Sequence, residues 1–283
     1  MARLKHKGVT LSGTLRKDGV AFYTRGGKVI MRSATSEQPL RRTRGQFVAR
    51  QRLAYNNTLW RRLRDAAEPM FAGSVTAYAR FRTLMSKLPV VFLTKTEHKN
   101  MASLLLEGMP VSDGMLQDLD YRLGEVEGEP ALLTSVRMKG PLLTSVRMKG
   151  PLPEGAEASD VAAALCGADA DLQRGDRLRL YRLCQKEEYD VPKVYVTAEE
   201  LLLDGDCGGT GFSGVALRCV DGHLTLVGDE FLDAMTGWAL VRISGEGCSS
   251  QTVATRCTLY ERYTTEEALA RAAESYGGLT EAQ

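Results

Sequence analysis

The stretch Gly214–Val227 reads GVALRCVDGHLTLV. Two runs rich in aliphatic and β-branched residues, Gly214–Val220 and His223–Val227, flank the dipeptide Asp221-Gly222. Asp-Gly tolerates the positive φ angles of a two-residue hairpin turn, so the runs are expected to pair antiparallel. Working outward, Arg177–Cys184, Lys193–Thr197, Trp238–Ser244 and Cys248–Tyr260 read as further strands, with a second hairpin at Gly245-Glu246-Gly247. Roughly seven short strands broken by turn residues predict a small antiparallel β-sandwich of immunoglobulin-like architecture over residues 171–283. A helix is expected to close the chain. Thr264 and Glu267 form its capping box, Tyr263 its staple, Leu269, Ala273 and Tyr276 its inner face, and Gly277 its end.

Upstream, the pattern changes. Val9–Leu15, Val20–Thr24 and Lys28–Ser33 alternate and are separated by Lys17-Asp18-Gly19 and Arg25-Gly26-Gly27, which predicts a β-meander. Three strands bury too little to stand alone, so this sheet is expected to lean on another element or subunit. Thr43 and Gln46 fit a capping box for a long helix ending at Pro69. Its apolar stripe is read as Val48, Leu53, Leu59, Trp60, Leu63, Ala67 and Met70. Ser74 caps a second helix to Lys87, with Val75, Tyr78, Phe81, Met85 and Leu88 at helical spacing. The short connection makes the two helices antiparallel neighbours. Val90–Thr94, Met115–Gly124 and Leu132–Met138 read as strands.

Leu132–Pro141, LLTSVRMKGP, recurs unchanged as Leu142–Pro151. Solenoids need longer units in more copies, so one copy is expected to serve as the strand and the other to loop out. The predicted class is therefore α+β. A basic β-meander and helical hairpin occupies residues 1–150, a linker 151–170, and the sandwich with its terminal helix 171–283.

Charge is distributed unevenly. Lys+Arg is 37 and Asp+Glu 35 for a net charge of +2 over 283 residues, but residues 1–100 carry 21 and 5 of these, and residues 101–283 the remaining 16 and 30. Near-neutrality is thus a cancellation of +16 against −14. Such polarity points to a polyanionic partner, or to docking of the basic segment on an acidic surface of this chain or another copy. The candidate contact residues are Lys17, Arg25, Lys28, Arg32, Arg50, Arg61, Arg62 and Arg64. Phe22 and Tyr23 lie among the first four, which adds a stacking option for nucleic acid. The plainer alternative is that Phe22 packs against Trp60.

Chemistry-bearing motifs are scarce. No apolar run approaches the ~18 residues of a membrane-spanning helix. The opening MARLKHKGVTLSGTL has positive charge but no apolar region behind it, so no secretory signal is read there and a cytoplasmic or virion-associated setting is expected. The six cysteines form no CxxC pair and are expected to be reduced. Gly209–Gly214 matches G-x-G-x-x-G, but a strand follows where a dinucleotide site needs a helix. Asp204 and Asp206, like Asp169 and Asp171, lack the glutamate of a calcium loop. Arg174-Gly175-Asp176 is read as a chance tripeptide. Three histidines (His6, His98, His223) leave few general bases, and no nucleophile motif accompanies them. No catalytic, cofactor or metal residue is assigned, no cofactor is expected, and an enzyme is not expected. A hydrolase would need His98 or His223 in a pocket beside a carboxylate.

Gly27, Arg32 and the helix motif Thr43-x-x-Gln46-x-x-x-Arg50 resemble an uncharacterised Bacteroidetes family, a domain of unknown function. The run GWALVRISGEGCSSQ, residues 237–251, is compatible with that family's β-rich end. The resemblance implies no activity. It implies a bacterial or phage-related source and a structural, assembly or virion-type role. A homo-oligomer or larger assembly is the expected form, with nucleic-acid binding through residues 1–64 as the alternative.

Overall fold

The computed structural model describes residues 3–4, 13–15, 20–25, 28–33, 42–71, 76–99, 104–137, 172, 175–188, 191–203, 212–245 and 247–280. The chain forms two compact units, residues 1–43 with 280–283, and residues 44–279. The protein is α+β, with helices and antiparallel sheets.

The smaller unit is a four-stranded sheet of β1 (Arg3–Leu4), β2 (Gly13–Leu15), β3 (Val20–Arg25) and β4 (Lys28–Ser33), in the order β1-β4-β3-β2. The expected meander supplies three of these strands. Arg3–Leu4 adds a fourth by pairing with Ile30 and Val29. The turns at 17–19 and 26–27 lie outside the described residues. Arg25 pairs with Lys28, the register of a two-residue connection.

The larger unit is built in layers. Helix α1 (Arg44–Ala67) leads into a 3-10 turn at Glu68–Met70, where Pro69 cannot continue the α-helical hydrogen bonding. Helix α2 (Ala77–Met85) follows. Tyr78 reaches Asn57 through its hydroxyl, and the Leu88 carbonyl accepts from Arg52 at 3.4 Å, so the chain returns antiparallel to α1 as expected. Trp60 packs on Phe71, Tyr78 and Phe81. The side chain of Phe22 lies outside the described residues.

Beneath the helices lies a sheet of β7 (Arg177–Glu188), β8 (Val191–Leu202), β11 (Thr236–Ser244) and β12 (Gly247–Cys248), ordered β12-β11-β7-β8, with β13 (Ala254–Thr255) also on β11. Its two faces alternate cleanly, because successive strand residues point to opposite sides. Tyr181, Leu183, Val194, Ala239, Val241 and Ile243 join the core shared with α1 and α2. Leu178, Leu180, Leu201, Trp238 and Leu240 join a second core. The far side of that core is a sheet of β5 (Tyr121–Val126), β6 (Glu129–Arg137), β9 (Ala216–Val220) and β10 (His223–Val227), ordered β5-β6-β10-β9, which contributes Leu132, Val136, Leu217, Leu224 and Leu226. Burial on both faces makes β11 an unbroken apolar-rich strand rather than an alternating one.

Asp221 (φ 50°) and Gly222 (φ 79°) form the expected turn, with Val220 opposite His223. Glu127 (φ 53°) and Gly128 (φ 85°) form an equivalent turn joining β5 to β6. The β5–β6 hairpin, read with the N-terminal module, hydrogen-bonds to β10 in the C-terminal half. Residues 132–137 of the first repeat copy lie in β6; residues 142–151 and the expected linker 151–170 lie outside the described residues.

Several local expectations are corrected. Val90–Thr94 is not a strand; Val91–Leu93 is buried, and the Leu93 and Phe92 N–H groups donate to the Gln51 side chain (3.1 Å) and the Tyr263 carbonyl (2.7 Å). Met115 is exposed, and β5 begins only at Tyr121. Cys248–Tyr260 is not one strand but the short pieces β12 and β13. The buried face of α1 is Phe47, Gln51, Tyr55, Asn56, Leu59, Leu63 and Ala67, and Leu53 is exposed. A short helix α3 (Lys95–Lys99) follows the buried 91–93 segment, and the chain ends in α4 (Glu261–Thr264) and α5 (Glu266–Ser275). Thr265, not Thr264, caps α5 by accepting from the Ala268 N–H at 3.2 Å.

Candidate docking surface

In the smaller unit the strand register sorts residues by chemistry. Cross-strand partners share a face, so Arg25 opposite Lys28, Tyr23 opposite Ile30, Ala21 opposite Arg32 and Arg3 opposite Ile30 all occupy one face. The other face holds Leu4, Leu15, Val20, Phe22, Val29 and Met31. The register therefore brings together three expected contact residues, Arg25, Lys28 and Arg32, with Tyr23, and puts Phe22 opposite them. Arg3 is a fourth cation that the strand reading had not reached. Lys17 lies outside the described residues.

In the larger unit α1 carries six arginines and one acid, Asp65. Arg50, Leu53, Asn57, Arg61 and Arg64 recur at steps of three and four and are all exposed, so they form one stripe on the solvent side. From Arg50 to Arg64 the stripe runs about 21 Å at 1.5 Å per residue. Arg62 is exposed too, but sits about 100° round the helix from Arg61. From α2, Arg82 lies over the Tyr78 ring, 5.8 Å from its centre, and Tyr78 reaches Asn57. Sequence reasoning missed Leu53, Asn57 and Arg82. Their signal was the three–four spacing, which the reading of Leu53 as core concealed.

The ion pairing is asymmetric. Arg44 pairs with Glu266 at 2.6 Å, Arg64 with Asp65 at 3.1 Å and Arg80 with Asp113 at 2.6 Å. Among the described residues, Arg50, Arg61 and Arg62 have no carboxylate partner. By contrast, Arg182, Arg218 and Arg242 each pair with a carboxylate, Arg177 and Arg179 share Glu200, and Arg256 approaches Glu125 only to 3.9 Å. Among the described residues, Arg122 of β5 and Arg137 of β6 are exposed without a carboxylate partner, as are Arg50 and Arg61 of the α1 stripe, while Arg64 of the stripe keeps Asp65. Exposed pairs contribute little to stability, so the free cations are available to a partner at little cost.

The remaining candidates resolve individually. Asp176 of the Arg-Gly-Asp tripeptide is buried and paired with Arg242 at 2.8 Å, so it is not displayed. Ser213 and Gly214 of the Gly-rich stretch lead into β9, and the Ser213 N–H donates to Glu199 at 2.6 Å. His223 begins β10. His98 is half-buried, with Nδ1 on the Tyr276 hydroxyl; burial lowers its pKa, opposed by Glu97. The Glu97 carboxylate closes a capping box with Thr94, accepting from its N–H and hydroxyl at 2.5 and 2.6 Å. It is thereby committed to the helix end. Among the described residues no three His, Cys, Asp or Glu side chains converge as metal ligands, and no helix is long and apolar enough to cross a membrane. Cys248 and Cys257 are free and buried, and burial raises both thiols above the ordinary range. Comparison with protein families, curated proteins and solved structures found no match to this chain.

Proposed function

We propose that the protein is a non-enzymatic structural or assembly component that docks on an acidic protein surface through its basic N-terminal surfaces. The observation that carries this reading is the α1 stripe, where Arg50 and Arg61 stand exposed and unpaired beside Leu53 and Asn57. Arginine's planar fork suits carboxylates, and an apolar side chain within the cationic field suits a protein partner. In this reading the two stacked sheets are an immunoglobulin-like display module. The resemblance of residues 19–63 to the Bacteroidetes family agrees with a bacterial or phage-like assembly role.

The test is binding of fluorescent poly-L-glutamate, a generic carboxylate surface, read by anisotropy. Binding at about 50 mM salt that weakens at least tenfold by about 500 mM is expected, because exposed charges are screened over that range. No binding at the lower salt would overturn the reading.

A second reading is favoured by the smaller unit, where Tyr23 shares a sheet face with Arg3, Arg25, Lys28 and Arg32. Cationic positions on the same sheet face as an aromatic position suit single-stranded nucleic acid. A single-stranded oligonucleotide that outcompetes poly-L-glutamate, and loses affinity on Tyr23→Ala, would favour this reading over the first.

A further inference from the structure

We infer that the solvent face of α1 receives a second copy of this chain, which places the tip of its β5–β6 hairpin there; the inference rests on the docking reading above. The hairpin tip, Glu125-Val126-Glu127-Gly128-Glu129, holds three carboxylates in five residues. Glu127 is exposed at the turn with no cation partner among the described residues. Glu125 has only a 3.9 Å approach to Arg256, with more than half its side chain open to solvent. Val126 between them is partly buried. The tip thus offers exposed carboxylates, opposite in sign to the exposed arginines of the stripe.

The layer order makes the contact intermolecular. Helix α1 covers one face of the middle sheet, and β5–β6 belongs to the sheet covering the other face. A tip on one outer layer cannot neutralise a stripe on the opposite outer layer of the same copy. Two different patches meeting in this way form a head-to-tail contact, which continues from copy to copy unless its rotation closes a ring. Complementary charge steers such encounters and makes them sensitive to salt.

The experiment is light scattering on the full chain and on two charge-reversed variants. One is Arg50→Glu/Arg61→Glu/Arg64→Glu. The other is Glu125→Lys/Glu127→Lys, which spares Glu129 because that residue pairs with Arg218. Wild type at about 50 mM salt is expected to show a mass of at least twice the monomer, rising with concentration and falling to monomer at about 500 mM. Each variant alone is expected to stay monomeric with an unchanged melting curve. Their equimolar mixture is expected to associate again, since each variant's tip then meets a helix of opposite sign. A monomeric wild type at low salt, an arginine variant that still associates, or a mixture that stays monomeric would overturn the inference. Poly-L-glutamate binding that persists beside a monomeric wild type would leave the docking reading standing and remove only the second copy.

Discussion

The Tyr181 hydroxyl on β7 donates to the Ala66 carbonyl of α1 across 3.0 Å. Ala66 lies in the last turn of the helix, where carbonyls have no partner further along the helix. Arg179 reaches the same oxygen at 3.3 Å, and the Cys248 thiol donates to the Met70 carbonyl at 3.1 Å. The middle sheet therefore caps the end of the helix that carries the docking stripe. Replacing Tyr181 by Phe should cost about 1 kcal/mol, because Arg179 still serves the carbonyl. In a unit of this size that corresponds to a melting point lower by about 2–4 °C. Thermal unfolding followed by circular dichroism checks it, and an unchanged midpoint would show the bond to be idle.

Asp176 and Arg242 form a buried pair, bonded through both Nε and Nη2 at 2.8 Å. Removing one partner strands the other charge away from water. Asp176→Ala should therefore destabilise by about 3–5 kcal/mol, far more than loss of an exposed pair. Urea denaturation reads this directly. A loss below about 1 kcal/mol would mean that Arg242 finds water or another acceptor.

The legible and illegible parts of the fold separate by what each signal depends on. Asp221-Gly222 announces its hairpin because the turn's own dihedrals demand those residues. Glu127-Gly128 makes the same turn with a less typical first residue, and so passed unread. Val90–Thr94 has the composition of a strand, but its N–H groups are satisfied by Gln51 and by the Tyr263 carbonyl, partners distant in sequence. The inner face of α1 was mis-set by Leu53, whose apolarity outranked the polar Gln51 and Asn56. Both of those are buried, and Gln51 is there because it serves the Leu93 backbone. The cations of the candidate surface were visible in the composition. Their division into a sheet face and a helix stripe required register and helical phase.

Stability should depend on pH from both sides. Burial depresses the His98 pKa, so the fold favours its neutral form. That contribution is present above the ordinary histidine value of about 6.5 and is lost as pH falls through the depressed value. Burial raises Tyr181 to about 12 and Tyr121 further still. Their contribution is present below the ordinary tyrosine value of about 10 and is lost as pH rises toward the folded values. The buried Cys248 and Cys257 thiols act in the same sense, starting from about 8.5. Urea midpoints should form a plateau from about pH 6.5 to 8.5 and decline outside it. His98→Gln should flatten the acid limb; an unaltered limb would assign it to other groups.

Two glycines should respond oppositely to alanine. A Cβ on Gly114 would sit 1.7 Å from the Cys248 carbonyl oxygen, so backbone must move, at a cost of about 1–3 kcal/mol or more. A Cβ on Gly45 in α1 meets nothing within 4 Å, and alanine there should stabilise by about 0.5 kcal/mol. Paired melting curves of Gly114→Ala and Gly45→Ala test both; a shift of the same sign in each would contradict the packing described.

The central claim is that the exposed face of α1 is a docking surface for carboxylates. Its most direct test is anisotropy with labelled poly-L-glutamate on wild type and on Arg50→Glu/Arg61→Glu/Arg64→Glu, at about 50 mM salt. At least tenfold weaker binding by the variant is expected, with melting behaviour unchanged. Equal affinity in the two proteins would contradict it.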